Sequence, residues 1–233
     1  MQTIPIIELS LVFIPTAFLL VIIFSWGLKG FVGLYANARM VLQLFLVGYL
    51  LTYIFNIEKP IIIVLVIILM VSVSAWIAIR SLEEKNLINY FIVYISIAFP
   101  GLIILGLVTQ LVLKMQTWYE PNFVVPIAGM IFANSMNTVS LAAERFEAEF
   151  KKEKNFIKAR QIAFDASLIT PINSLFAVGL VSLPGMMTGQ ILSGVDPIVA
   201  VRYQIMVMWM TFGSGGLASA LYLTLRFRAI KNK

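Results

Sequence analysis

The chain has 233 residues, of which 61% are hydrophobic and 12% charged, where an ordinary soluble domain has about 45–50% and about 25%; this is the composition of a membrane protein. His and Cys are both absent, which excludes thiol and imidazole nucleophiles, Cys or His metal sites and disulfides. The net charge is +6, and no G-x-x-x-x-G-K followed by Ser or Thr occurs, so the chain has no P-loop for ATP phosphates and no catalytic residue is assigned.

Cut at its charged residues, the sequence leaves seven long charge-free runs: 9–28, 40–57, 60–79, 86–113, 121–143, 166–195 and 203–225. A hydrocarbon core about 30 Å thick takes roughly 17–25 apolar residues at 1.5 Å rise, so each run holds one span. The predicted fold is an all-α membrane protein, a single integral-membrane domain over 1–233, with about seven transmembrane helices. They are placed at 6–28, 40–56, 60–79, 87–113, 122–141, 163–187 and 203–225.

The first span is read as a mature helix, because residues 1–8 carry no Lys or Arg and no A-x-A-like cleavage site precedes Trp26. Gly27, Gly30 and Gly33 weaken helix after it and predict a short elbow. Pro60 opens the third span, where its missing N–H costs least. Pro100-Gly101 predicts a kink or break in the fourth, and Gln116–Asn122 a short loop after it.

Residues 142–160 contain no Pro or Gly and predict a cytoplasmic helix between spans five and six. Glu147 and Lys151 form an i,i+4 pair, and Phe146, Phe150 and Ile157 recur on roughly one face. Exposed Phe rings there would either dip into the membrane interface or enter a groove on a partner. The run 166–195 is too long for one span, so a helix is expected to end near Pro184-Gly185, with a loop or half-helix continuing toward Asp196-Pro197. Gly185 with Gly189, and Gly215 with Ser219, have the small-x-x-x-small spacing that lets helices approach closely, between neighbours or across a dimer.

Orientation follows from the basic residues. With the N-terminus outside, fourteen Lys and Arg fall in cytoplasmic segments and only Lys59, Lys114 and Arg202 outside, the asymmetry of the positive-inside rule. The expected topology is N-out/C-in, and the positive charge faces anionic lipid rather than nucleic acid.

No charged residue lies deep in a span, and Asp165, at the start of the sixth, is suited to a helix N-terminus. Gln43, Gln110, Asn134, Asn137, Asn173 and Gln190 are costly to leave unpaired in hydrocarbon. Asn134 and Asn137 share one helical face, which either lines a translocation path or bonds one helix to another. Met186 and Met187 carry thioethers of the kind that bind soft metals, but Met is also a common apolar filler.

Three stretches, Ala38–Phe55 (ARMVLQLFLVGYLLTYIF), Pro126–Phe146 (PIAGMIFANSMNTVSLAAERF) and Val181–Ile205 (VSLPGMMTGQILSGVDPIVAVRYQI), resemble the FetB-type permease family of ABC transporter subunits, which includes bacterial iron-export permeases and plant aluminium-tolerance relatives. With the span pattern, the resemblance covers essentially the whole chain. It implies a multi-pass permease of the bacterial inner membrane that forms a homodimer and binds a separate P-loop ATPase holding ATP and Mg. It also implies that 142–160 is a coupling helix, with Glu144, Arg145, Phe146, Glu147 and Phe150 toward the ATPase. The Leu183–Gln190 motif, with Met186, Met187 and Gln190, would border the pathway or gate, alongside Asn134 and Asn137. The implied activity is export of iron, another metal or its complex, although hard metals prefer oxygen ligands and few carboxylates lie near the spans, so no metal ligand is assigned. The alternative is a stand-alone channel or secondary carrier, which predicts a charged or ion-coordinating site within the membrane. A retinal pump is excluded because 203–225 contains no Lys.

Overall fold

The structure, a computed structural model, describes residues 5–54 and 59–231. The chain divides into two compact units, Met1–Ile57 and Glu58–Lys233.

The first unit holds α1 (Ile6–Leu11), α2 (Phe13–Ser25) and α3 (Gly30–Ile54). Pro15 has no N–H for the Leu11 carbonyl, and the helix is interrupted at Val12, the seventh residue of the predicted first span. Gly27 takes φ +69 at the elbow, a left-handed conformation that costs glycine little. Gly30 and Gly33 belong to α3 rather than to the elbow: a Cβ on Gly30 would meet the Phe24 ring at 2.7 Å, and one on Gly33 would meet Leu20 at 3.0 Å. These glycines therefore bring α2 and α3 together. Helix α3 starts ten residues before the predicted 40–56, whose last two residues lie outside those described.

The second unit holds α4 (Pro60–Ala78), α5 (Leu87–Gly106), α6 (Pro121–Glu153), α7 (Phe156–Ala177), α8 (Gly185–Leu192) and α9 (Pro197–Lys231). A 3-10 turn, Ile79–Ser81, ends α4, and a π-helical stretch, Leu107–Val112, extends α5. Pro60 stands in the first turn of α4 as predicted. Pro100 does not break α5, which runs on to Gly106. Gly101 explains the pairing: a Cβ there would lie 2.7 Å from Phe132 Cε1, so Gly lets α6 press against the helix at this point.

Helix α6 packs on α4, α5, α7 and α9, and its inward face buries Ile131, Phe132, Ser135, Thr138, Val139 and Phe146. At 33 residues it is about 50 Å long, so roughly 20 Å exceeds a 30 Å hydrocarbon core. The predicted division into a span at 122–141 and a separate helix at 142–160 is corrected: α6 continues unbroken to Glu153. The break comes at Lys154, with φ +50, whose N–H donates to the Phe150 carbonyl at 2.9 Å. Asn155 then caps α7, its Oδ1 accepting from the Lys158 N–H at 3.2 Å.

Six helical stretches are long and apolar enough to cross a membrane among the described residues: Glu8–Ser25, Gly30–Ile54, Pro60–Ser81, Leu87–Val112, Pro121–Glu153 and Pro197–Ile230. The predicted sixth, at 163–187, is divided and is not among these six. Helix α7 begins at Phe156 with Lys158, Arg160 and Asp165 in its first half, ends at Ala177, and is followed by a tight turn in which Val178 bridges Ser182. Helix α8 is the half-helix expected after Pro184.

The spacing of Gly215 and Ser219 serves contact within the chain. Both are buried where α9 meets α6, and a Cβ on Gly215 would lie 2.5 Å from Asn134 Nδ2 and 3.0 Å from Thr138 Cγ2. Thr138 Oγ1 donates to the Gly215 carbonyl at 3.0 Å, and Asn134 Nδ2 donates to the carbonyl of Thr211.

Candidate functional site

Polar and pocket-forming residues of the second unit gather at its two ends. At the charge-rich end, the α4–α5 connection, the last turns of α6 and the C-terminal part of α9 meet. Glu147 Oε2 accepts from the Glu83 N–H at 3.0 Å, and its Oε1 lies 3.4 Å from Arg226 Nη2. Arg226 Nη1 donates to Asn89 Oδ1 at 2.6 Å, and Asn89 Nδ2 to the Glu84 carbonyl at 2.7 Å. The Glu147 and Arg226 side chains are only 14% and 13% exposed, so each depends on the other for charge compensation. Lys151 also pairs with Glu83, but both are exposed, which makes that pair weak.

Beside this network lies an aromatic cluster. Phe146 stacks on Phe150 with ring centroids 5.5 Å apart, Phe156 meets Phe146 edge-on at 5.1 Å, and Phe227 lies 4.3 Å from Phe156. Phe146 is 1% exposed. The expectation of an exposed Phe146 is thereby corrected: its ring is enclosed by α7 and α9, because the turn at Lys154 folds α7 back over α6. Of the five residues proposed for coupling, Phe146, Glu147 and Phe150 converge on this inner cluster. Glu144 and Arg145 stay exposed, with Arg145 paired to Glu149 at 3.2 Å. Sequence reasoning missed Asn89, Phe156, Arg226 and Phe227; the only local signal was the position of Arg226 at the end of the last charge-free run.

At the other end, α8 separates two cavities. One, of about 520 Å³, is lined by Asn122 and Met130 of α6, Met186 and Gln190 of α8, and Tyr203 and Met206 of α9, among others. The second, of about 420 Å³, is lined by Leu175 and Val178, Met187 of α8, and Gln204, Met208 and Trp209 of α9, among others. Adjacent methionines thus serve different cavities, because residues one apart on a helix point about 100° apart. Gln190 Oε1 and Gln204 Oε1 are buried without a hydrogen-bond partner. Asp196 Oδ1 accepts from the N–H groups of Ile198 and Val199 at 2.8 and 3.2 Å and starts α9. Positive-φ glycines bracket α8 and its preceding turn: Gly179 at +83 and Gly194 at +90.

Of the residues suggested for a translocation path, Met186 and Gln190 meet in the larger cavity and Met187 lines the smaller. Asn134 lies in neither; its amide holds α6 to α9. Asn137 is exposed on α6. Met130, Gln204 and Met206 were not singled out by the sequence.

A family profile described as Uncharacterised protein family (UPF0014) matches residues 6–230. The chain belongs to this family. Among UPF0014 relatives, the UPF0014 membrane protein slr1647 of Synechocystis is 31% identical over 86% of this chain and 83% of its own. The probable iron export permease protein FetB of Escherichia coli is 33% identical over 83% of this chain and 80% of its own. The protein ALUMINUM SENSITIVE 3 of Arabidopsis thaliana is 31% identical over 80% of this chain and 72% of its own. No solved structure matches detectably. The resemblance to FetB-type permeases is therefore established, and with it the coarse reading of a UPF0014 membrane permease.

Proposed function

We propose that this UPF0014 protein is the transmembrane subunit of an ABC exporter that moves iron, another metal or a metal complex across the cell membrane. It works as a homodimer driven by a separate P-loop ATPase carrying ATP and Mg. Its orientation is N-out/C-in. The observation that carries the reading is the match along nearly its whole length to a family that includes a protein named as an iron export permease. The lack of a P-loop in this chain fits a division of labour in which hydrolysis belongs to another subunit.

In this reading the charge-rich end receives the ATPase. Because Phe146 is enclosed and Glu147 is engaged with Arg226, the docking contact falls to the exposed positions around the α6–α7 turn, Glu144, Arg145 and Ile157. ATP-driven closure of the ATPase would push on the α6–α7 hairpin, and α8 at the far end would bound the pathway as a gate.

The test is purification of the tagged protein from its native host in mild detergent, followed by mass spectrometry of what accompanies it. A small P-loop ATPase is expected at stoichiometric ratio, reduced when Glu144→Lys and Arg145→Glu are introduced together. Reproducible absence of an ATPase beside an intact permease would overturn the proposal in favour of a stand-alone channel or secondary carrier.

A further inference from the structure

The two cavities beside α8 share one chemical recipe. Neither is lined by Asp, Glu, Lys or Arg. Each is mainly apolar, with methionine thioethers, and each holds one carboxamide oxygen that is buried and accepts from nothing: Gln190 Oε1 in the larger and Gln204 Oε1 in the smaller. Gln204 is only 5% exposed. A buried acceptor without a donor is a standing cost that a bound donor would remove.

Size separates the possible occupants. Cavities of about 520 and about 420 Å³ lie in the range of small-molecule sites, roughly 300–1,000 Å³, far above what one dehydrated ion fills. Charge separates them further, because a bare hard cation calls for several carboxylate or water oxygens. Among the described residues no group of three or more Asp or Glu converges to hold one.

We propose that the cavities on either side of α8 are sites for one class of ligand: an uncharged, largely apolar molecule that donates a hydrogen bond, received by Gln190 in one cavity and Gln204 in the other. The inference rests on the permease reading and deepens it by naming the cargo chemistry. A metal crossing by this route would travel masked inside an uncharged complex and not as a free ion. Helix α8 forms the wall between the two positions, with Met186 and Gln190 on one side and Met187 on the other.

The experiment uses the full chain, purified and reconstituted in lipid nanodiscs, and two photoreactive probes: a diazirine-bearing octanol and the matching diazirine-bearing octane without the hydroxyl. Adducts are located by mass spectrometry and half-saturation is read by titration. The octanol probe is expected to label residues of α8 and α9 at both cavities, more tightly than the octane. Gln190→Leu should raise half-saturation about five- to tenfold at the larger cavity alone, and Gln204→Leu should do the same at the smaller. Neither variant should lower the unfolding midpoint, since each removes an orphaned acceptor, so a loss of labelling cannot be assigned to misfolding. Equal labelling by octane and octanol, or half-saturation unmoved by both substitutions, would overturn the proposal.

The donor can come from a lipid headgroup or a dissolved molecule. Displacement of the octanol by diacylglycerol, an uncharged lipid with a free hydroxyl, but not by triacylglycerol, which has none, assigns it to lipid, and resistance to both assigns it to solute. Labelling needs no ATPase, so a missing ATPase partner and a failed labelling experiment remain distinguishable.

Discussion

Gly215→Ala tests whether α6 and α9 are held by the close approach seen between them. The new methyl carbon would sit 2.5 Å from Asn134 Nδ2 and 3.0 Å from Thr138 Cγ2, well inside van der Waals contact. Thr138 is buried and its hydroxyl bonds the Gly215 carbonyl, so it has little room to retreat. The amide of Asn134 would have to leave the Thr211 carbonyl. Overpacking costs about 1–3 kcal/mol, and an interhelical hydrogen bond in a membrane protein is worth about 0.6 and at most about 1.7 kcal/mol. Against this, Ala gains about 1 kcal/mol of helix propensity over Gly. The net loss should be about 1–3 kcal/mol.

The measurement is denaturant titration in mixed micelles, followed by the fluorescence of the four Trp residues. Asn134→Ala should cost less than Gly215→Ala, and in the double variant the shortened Asn134 should relieve the clash. The cycle is therefore expected to be non-additive by at least about 1 kcal/mol. A Gly215→Ala protein as stable as the parent, or effects that add within about 0.5 kcal/mol, would refute this account of the α6–α9 contact.

Arg226→Ala should destabilise by about 3–5 kcal/mol in the same assay, because Glu147 is left nearly buried and uncompensated, while Arg226→Met with Glu147→Leu should recover most of the loss. Lys154→Gly should stabilise by up to about 1 kcal/mol, since Lys154 sits at φ +50, where Gly lacks the Cβ penalty. Asn155→Ala should cost about 1 kcal/mol by removing the cap of α7. Because the chain has no Cys, single cysteines report topology directly: Thr117→Cys should react with a membrane-impermeant maleimide in intact cells, and Lys152→Cys only after permeabilisation.

The class of fold was legible because composition and charge-free run length are set by the bilayer, and a solvent constraint of that kind acts on every helix at once. Turn positions were legible where a residue has one local use, as with Pro60 and the half-helix after Pro184. The break at Lys154 was not legible, because Lys is an ordinary helix former. The chain turns there where Phe156 meets Phe146 and Phe227, contacts formed only in the folded unit. The Gly215 spacing announced a close helix contact but not its partner, which lies 77 residues away. The cavities divide in the same way. Gln190 stood out as a polar residue within an apolar run, whereas Gln204 lies one residue inside the predicted last span and was not singled out; only packing shows that its oxygen is shut away.

The same two helices reach both ends of the second unit. Helix α6 carries Asn122 and Met130 at the larger cavity and Glu147 at the charge-rich cluster; α9 carries Tyr203 and Met206 at the first and Arg226 and Phe227 at the second. Between the ends they meet at Gly215, where two side chain to backbone bonds tie them together. A helix is stiff along its axis, so a load applied to the α6–α7 turn reaches the cavity as a tilt of α6 against α9 about that contact, with no chain of side-chain rearrangements required. Helix α8 buries no residue of its own and joins the chain through Gly179 and Gly194, which makes it the element that yields when the tilt changes the space on either side. Proposed drive and proposed gate would then bias one two-helix lever, the physical requirement for coupling between distant sites. Under the proposed coupling, Gly215→Ala should therefore do more than destabilise: by shifting this contact, it should weaken stimulation of the proposed ATPase while leaving its proposed binding at the charge-rich end intact.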